Sequence, residues 1–372
     1  MSMIIFLIVL FIILLLIVLF LMKWRKINEF QKCSPKIFQF NHDFNNYDNS
    51  TELSFPYNEI AKNFKIPIVK KFSDANLITF TDYTLYDQHF DKIKYKEKCN
   101  YKIYAINGVD MLANKNVLAK KMGHTNLIPK SYPLDDEKAL NELSMNHYSG
   151  KIYFLKSNLQ RQEGNLITKD IDFILNNAWD KNFVVAQDLM QNPFTVDGHK
   201  INLRVYLLIV IRKNLCDFYI YNDGFVYYAK KKFEPNSIDR EVNITSGFGD
   251  RSIYEDHPLT TQDLYKHIGP DIASKMQHNI EQAFSEIYKV YKQDFIDKNI
   301  NVPGISFNLY GVDIAPGADL SVTVLEANKG PSIDKKSERD GDLKYAMSRD
   351  LFGVVSIISG KDVHPDNWIQ IK

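Results

Sequence analysis

Hydrophobic residues are arranged in several different patterns along this chain, and the first is the most extreme. Residues 3–22 contain no charged or polar side chain. About 20 residues at 1.5 Å rise span a hydrocarbon core of about 30 Å. A helix buried in a protein core would show a polar face, and a cleavable signal would be shorter and followed by small residues. One transmembrane helix is therefore predicted. Lys23, Arg25 and Lys26 follow it directly, with Trp24 among them. The positive-inside rule then puts the remainder on the cytosolic side, as a single-pass membrane protein.

Residues 29–59 are polar and aromatic without a period, the pattern of a linker. Beyond them, short runs predict strands at 65–71, 75–80, 151–156, 166–168 and 183–187. A helix is predicted over 109–122, apolar at Met111, Leu112, Val117 and Leu118 and ended by Gly123, and a shorter one over 171–179. Residues 200–211 alternate as a long strand, with Lys200, Asn202 and Arg204 on one face and Ile201, Leu203 and Val205 on the other. Asn222-Asp223-Gly224 between two aromatic runs, 218–221 and 225–229, is a hairpin signal. Helices are predicted over 261–268 and 272–292, the second with a core-facing stripe at Ile280, Ala283, Phe284, Ile287 and Tyr291. Two apolar strands at 307–314 and 321–327 flank the turn residues Ala315-Pro316-Gly317-Ala318-Asp319. Strands and helices interleave with no internal repeat, which gives an α/β (α+β) class.

Composition narrows this little. At 372 residues the chain has room for two or three subdomains. A net charge of +1 and a charged fraction of 24% give no electrostatic pull toward nucleic acid. Cys33, Cys99 and Cys216 are widely separated, with neither zinc nor redox spacing.

The chemistry is concentrated at strand ends. If the strands at 307–314 and 321–327 pair, Asp313 falls near Glu326, and Asn328 shares a face with Glu326. Two carboxylates and a carboxamide are hard oxygen donors suited to Mg²⁺. Solvated strand-end acids are the commoner case, but both acids here interrupt strongly apolar strands, where an unpaired charge is costly. Lys156 ends a strand and precedes a polar loop containing Arg161 and Gly164, so it can reach phosphate oxygens that the loop covers. The strand at 183–187 exits through Asp188 and Leu189 and can offer main-chain groups to an adenine edge. Lys200 and Arg204 place two cations on one strand face, either a solvated face or a site for phosphate and developing negative charge.

With those residues in view, the chain resembles the tubulin–tyrosine ligase-like family, built on the ATP-grasp fold, over residues 107–331. Phe154-Leu155-Lys156-Ser157 resembles the family's lysine-bearing strand, and Glu163-Gly164 the end of its phosphate loop. Gln187, then Gln191-Asn192-Pro193 and Asp197-Gly198-His199-Lys200-Ile201-Asn202-Leu203-Arg204, are similar to its Gln…Pro…Gly-x-Lys-x-Asp-x-Arg run. Asn243-Ile244-Thr245-Ser246 stands where the family has His-Leu-Thr-Asn. Leu309-Tyr310-Gly311-Val312-Asp313 and Leu325-Glu326-Ala327-Asn328 resemble its metal-binding strands most closely.

The resemblance implies a carboxylate–amine ligase that uses ATP and Mg²⁺. A carboxylate is converted to an acyl phosphate and then attacked by an amine. Asp313, Glu326 and Asn328 would hold the metal; Lys156, Arg161, Gly164, Gln187, Asp188, Leu189, Lys200 and Thr245 would border the nucleotide. Lys200 and Arg204 would be the catalytic pair, stabilising phosphate and the intermediate. The implied partners are an amino acid (glutamate, glycine or tyrosine) and a protein acceptor, with tubulin a candidate. Asn202, Ser246 and Tyr227 replace an aspartate, an asparagine and an arginine of the family. Those departures leave open a catalytically degenerate pseudoenzyme acting as an anchored nucleotide- or protein-binding adaptor, or an ATP-grasp ligase of non-tubulin substrates.

The implied layout begins with an anchor at 1–26, a linker at 27–64 and a small subdomain at 65–125. Two mainly antiparallel ATP-grasp subdomains at 126–199 and 200–360 would then hold the nucleotide between them, followed by a tail at 361–372.

Overall fold

The computed structural model describes residues 34–40, 53, 55–80, 101–157, 164–246, 251–300, 302 and 304–372, together with Leu15. The expectation of a single-pass membrane protein is corrected here: among the described residues no helix is long and apolar enough to cross a membrane. The apolar stretch 3–22 behind that expectation lies, Leu15 excepted, outside the described residues. The 30-residue helix Pro270–Asn299 has the length of a span but interleaves charged residues with its apolar stripe.

In chain order, β1 (Ile37–Phe40) is followed by α1 (Tyr57–Asn63), β2 (Leu77–Phe80), β3 (Lys102–Ile103), α2 (Asp110–Ala113) and α3 (Lys115–Met122). Residues 65–71 contribute an isolated bridge from Ile68 to Ile37 rather than the strand expected there. The helix expected over 109–122 is split because Asn114 accepts from the amides of Asn116 and Val117, capping a new helix start. Next come β4 (Ser131–Pro133), α4 (Glu137–Met145), β5 (Tyr153–Ser157), β6 (Leu166–Thr168), α5 (Ile171–Asn177) and β7 (Phe183–Asp188). β8 (Thr195–Val196), β9 (His199–Arg212), β10 (Leu215–Lys232), α6 (Arg240–Asn243) and β11 (Thr245–Ser246) follow. α7 (Ile253–Asp256), α8 (Thr261–Ile268) and α9 (Pro270–Asn299) precede β12 (Ile305–Pro316), β13 (Val322–Asn328), α10 (Glu338–Val354) and β14 (Trp368–Ile371).

These strands form two sheets, giving a mixed α/β fold consistent with the expected class. The large sheet runs β1-β2-β3-β12-β9-β10-β11, with β13 added on β12, β14 on β10 and β8 on β9. Its β1, β2, β3 and β12 are parallel neighbours, and its other pairings are antiparallel. The small sheet runs β4-β7-β5-β6, all antiparallel.

Alternation along β9 explains how the large sheet is covered. Ile201, Leu203, Val205, Leu207, Ile209 and Ile211 pack with Ile280, Phe284, Ile287 and Tyr291 of α9, the stripe expected to be core. Tyr206, Leu208 and Val210 face the other way, onto Met347 and Leu351 of α10 and Ile60 of α1. Lys200, Asn202 and Arg204 share this second face, near the start of the strand, where they line an open cavity. In the small sheet, Tyr153, Leu155 and Ala186 pack with Leu143 of α4 and Ile174 of α5. Phe154, Lys156 and Gln187 therefore project from its opposite face.

The Asn222-Asp223-Gly224 signal does not mark a turn. β10 runs through it with a register shift between Ile220 and Gly224, and the reversal from β9 occurs at Lys213, whose φ is 54°. Glycine is required for a different reason: a Cβ on Gly224 would lie 2.1 Å from the Arg204 carbonyl oxygen. Asp223 then accepts from the amides of Gly224 and Gln262, fixing the irregular strand against the start of α8. Residues 361–372, read from sequence as a tail, carry β14, where Trp368 and Ile371 are buried.

Candidate active site

The two sheets face one another across a cavity of about 380 Å³. Phe154, Lys156 and Gln187 line it from the small sheet; Lys200, Asn202, Arg204, Asp313, Glu326 and Asn328 line it from the large one. Lys156 ties the two together, since its Nζ donates to the Leu325 carbonyl at 2.8 Å.

The register of β12 and β13 sets Asp313 opposite Glu326 and Gly311 opposite Asn328. Arg204 grips Asp313 with two bonds, Nε to Oδ1 at 2.6 Å and Nη2 to Oδ2 at 3.0 Å. Asn328 donates to Glu326 Oε1 at 3.3 Å. Burial raises the Asp313 carboxyl; Arg204 pulls it back, Glu326 pushes it up again, and the net shift is upward. Burial also works against the Glu326 charge, but Lys156, Lys115, Arg204 and the Asn328 amide together hold this carboxyl below its ordinary range. Among the described residues, no three His, Cys, Asp or Glu side chains gather as metal ligands. The oxygen donors here are two carboxylates and the Asn328 carboxamide, with the Asn202 Oδ1 buried and without a hydrogen-bond partner among the described residues.

Cations surround this pair. Burial brings the Lys156 ammonium down to about 8, opposed by Glu326 and assisted by Lys115. Burial and the Lys156 charge bring Lys200 down to about 8 as well. Lys115, which sequence reasoning passed over, donates to the Ser157 carbonyl at 2.9 Å and interacts with Glu326. Its signal was its place in the first turn of α3, where a lysine opposes the helix dipole. Lys115, Lys156, Lys200 and Arg204 outnumber Asp313 and Glu326, so this group is net positive and complementary to a polyanion.

At the other side of Lys156, Gln187 is buried and donates to Ser131 Oγ at 2.8 Å. Leu189 has its amide committed to the Ile152 carbonyl at 3.0 Å and its carbonyl to Gln191 at 3.3 Å. Asp188 pairs across the ladder with Tyr153, on the face away from Lys156 and Gln187, and its carboxylate binds Lys151 at 2.9 Å. Its main chain, rather than its side chain, is therefore what borders the cavity. Met190 and the buried Thr245 also line it. Gly164 adopts φ 71° beside the lining residue Asn165, while Arg161 lies outside the described residues.

A further group, Tyr227 apart, was not anticipated. Tyr227, Arg251, Tyr254, Lys336, Asp340 and Lys344 line the same cavity. Asp340 and Lys344 form a buried pair at 2.9 Å, one turn apart on α10, and Lys344 also donates to the Asp334 carbonyl at 2.7 Å. The guanidinium of Arg204 lies 5.3 Å from the Tyr227 ring centre, and that of Arg251 lies 5.3 Å from Tyr254. The available sequence signal was an acid and a lysine at i, i+4 on the inner face of an amphipathic helix. Outside the cavity, Lys230 and Lys231 are matched by Glu241 and Asp239 at 2.6–3.0 Å.

A sequence model described as the tubulin-tyrosine ligase family matches residues 62–364. A probable tubulin polyglutamylase of Rattus norvegicus is 30% identical over 189 residues, covering 48% of this chain and 40% of the relative. One of Bos taurus is 29% identical, over 46% of this chain and 38% of the relative. A tubulin polyglutamylase of Homo sapiens is 21% identical over 75% of this chain and 34% of its own length. The chain thus spans about two fifths or less of the length of these relatives.

Proposed function

The chain belongs to the tubulin-tyrosine ligase family, and on that premise we propose that it is an ATP-dependent carboxylate–amine ligase that joins an amino acid to a protein carboxylate. The observation that carries the reading is the net-positive lysine group set against paired carboxylates between two sheets. The names of the relatives favour glutamate as the amino acid and tubulin as the acceptor.

The donor chemistry fits the implied groups. Asp313, Glu326 and the Asn328 oxygen are hard donors for Mg²⁺, and two carboxylates close enough to oppose each other's ionisation gain from a cation between them. Lys156 and Lys200 would hold the phosphates, and the main chain from Gln187 to Met190 would border the base. The nucleotide would then lie between the proposed subdomains 126–199 and 200–360. Bound ATP supplies the phosphoryl group that turns an acceptor carboxylate into an acyl phosphate with a good leaving group. Arg204, oriented by its two bonds to Asp313, would meet negative charge developing on the acyl oxygen.

The test is calorimetric titration with ATP, with and without Mg²⁺, followed by incorporation of labelled glutamate into tubulin with release of ADP and phosphate. Lys156→Ala is expected to weaken ATP binding by roughly 10- to 100-fold, the value of a hydrogen bond to a charged group. No ATP binding by folded wild-type protein would defeat the ligase reading. Binding without turnover across acceptors would instead favour an adaptor, in keeping with the departures at Asn202, Ser246 and Tyr227.

A further inference from the structure

The cations of the cavity form two groups that meet at the Arg204–Asp313 pair. Lys156 stands at the centre of one, acting with Lys115 on Glu326 and opposing the charge of Lys200. Lys336, exposed at the rim, has different neighbours: burial, then Lys344, with Arg251 and Arg204 further off, hold its ammonium below the usual range against the pull of Asp340. Arg251 is half-buried with its guanidinium against Tyr254. Asp340 is engaged by Lys344, and Asp334 lines the same end.

This end therefore offers a guanidinium and an ammonium for an anion, the acid Asp334 for a cation, and tyrosine faces beside them. That combination complements a zwitterion more closely than it does a phosphate chain. A guanidinium suits a carboxylate because its fork of donors matches two oxygens. The acceptor carboxylate has to reach the lysines at the phosphate end, which leaves the Arg251 end for the second substrate. We propose that Arg251, assisted by Lys336, forms a carboxylate subsite that seats the free amino-acid substrate by its α-carboxylate. The assignment rests on the ligase reading and adds which residues select the amino acid.

The full chain saturated with Mg²⁺ and the non-hydrolysable analogue AMP-PNP is titrated with L-glutamate, glycine and L-tyrosine, and with their α-amides. At least one free acid is expected to bind, with its α-amide roughly tenfold weaker. Arg251→Gln should reduce the free acid to the level of its amide, Arg251→Lys should restore part of the difference, and AMP-PNP affinity should stay within about twofold. That unchanged affinity also shows that the variants are folded. Equal binding of acid and amide, no effect of Arg251→Gln and Lys336→Gln, or no binding of any free acid to the loaded protein would each overturn the subsite. Failure of AMP-PNP itself to bind is a separate result: it removes the ligase reading, and the subsite with it.

Discussion

Replacing Glu326 with alanine is expected to lower ligase turnover on the order of 10³-fold and to abolish the Mg²⁺ dependence of ATP binding. Glu326 interacts with Lys156, Lys115, Arg204 and Asn328, the charged and polar groups around the carboxylate pair. It faces Asp313 across the β12–β13 ladder, accepts from Asn328, and is kept charged by Lys156 and Lys115. Without it, the buried lysines lose their nearest acid and Asp313 remains gripped by Arg204 alone. A cation then has one committed carboxylate where it had two. Calorimetry with and without Mg²⁺ separates metal loss from misfolding, because residual metal-independent binding through the lysines should survive. Glu326→Gln keeps the shape and an acceptor for Asn328, so it should fold like wild type and still lose the metal dependence. Wild-type Mg²⁺-dependent binding by both variants would take the carboxylate pair out of the mechanism.

The largest expected loss of stability comes from Asp350, remote from the cavity. Its carboxylate is fully buried in α10 and accepts from Arg349 Nε at 2.9 Å, the His364 amide at 3.0 Å, Asn367 Nδ2 at 2.8 Å and the Tyr221 hydroxyl at 3.3 Å. These bonds join α10, β10 and the segment leading into β14. Asp350→Ala leaves those donors buried without an acceptor and Arg349 without its charge partner, at a cost of about 3–5 kcal/mol. The thermal midpoint should fall by roughly 5–10 °C. Alanine at the exposed neighbour Asp366 is the control, expected to leave the midpoint unchanged. Equal midpoints for the two variants would show that the network contributes nothing net.

Much of this site was readable because β-strand alternation is strict. The face shared by Lys200, Asn202 and Arg204, and the opposition of Asp313 to Glu326, follow from a period of two and one turn, and both are observed. The stripe on α9 was readable for the same reason at a helical period. Asn222-Asp223-Gly224 misled because a glycine needed for close approach to Arg204 has the same composition as a turn. The orientation of Asp188 depends on strand register with β5, which no local pattern specifies. Arg251 joins the cavity, and Lys115 reaches Glu326, through tertiary packing of segments far apart in sequence, so the neighbours of Arg251 could not show its role. β1 and α1 lie in a stretch whose polar, aromatic composition reads as linker, and they are ordered by packing on distant strands.

The two sheets also differ in how far their partners must travel to meet. Every pairing in the small sheet lies within residues 131–188, so short loops close it. The large sheet needs Lys102 beside Ile305 and Phe218 beside Ile371, contacts that carry a large closure entropy before any packing rewards them. The small sheet should thus be an early island during folding, while β12 waits for a neighbour from the start of the chain and β10 for one from its end. Half of the cavity, including Lys156, can exist before the half that bears Asp313 and Glu326. The nucleotide, by bridging both halves, would act as a late clasp on the assembled fold as well as a reactant.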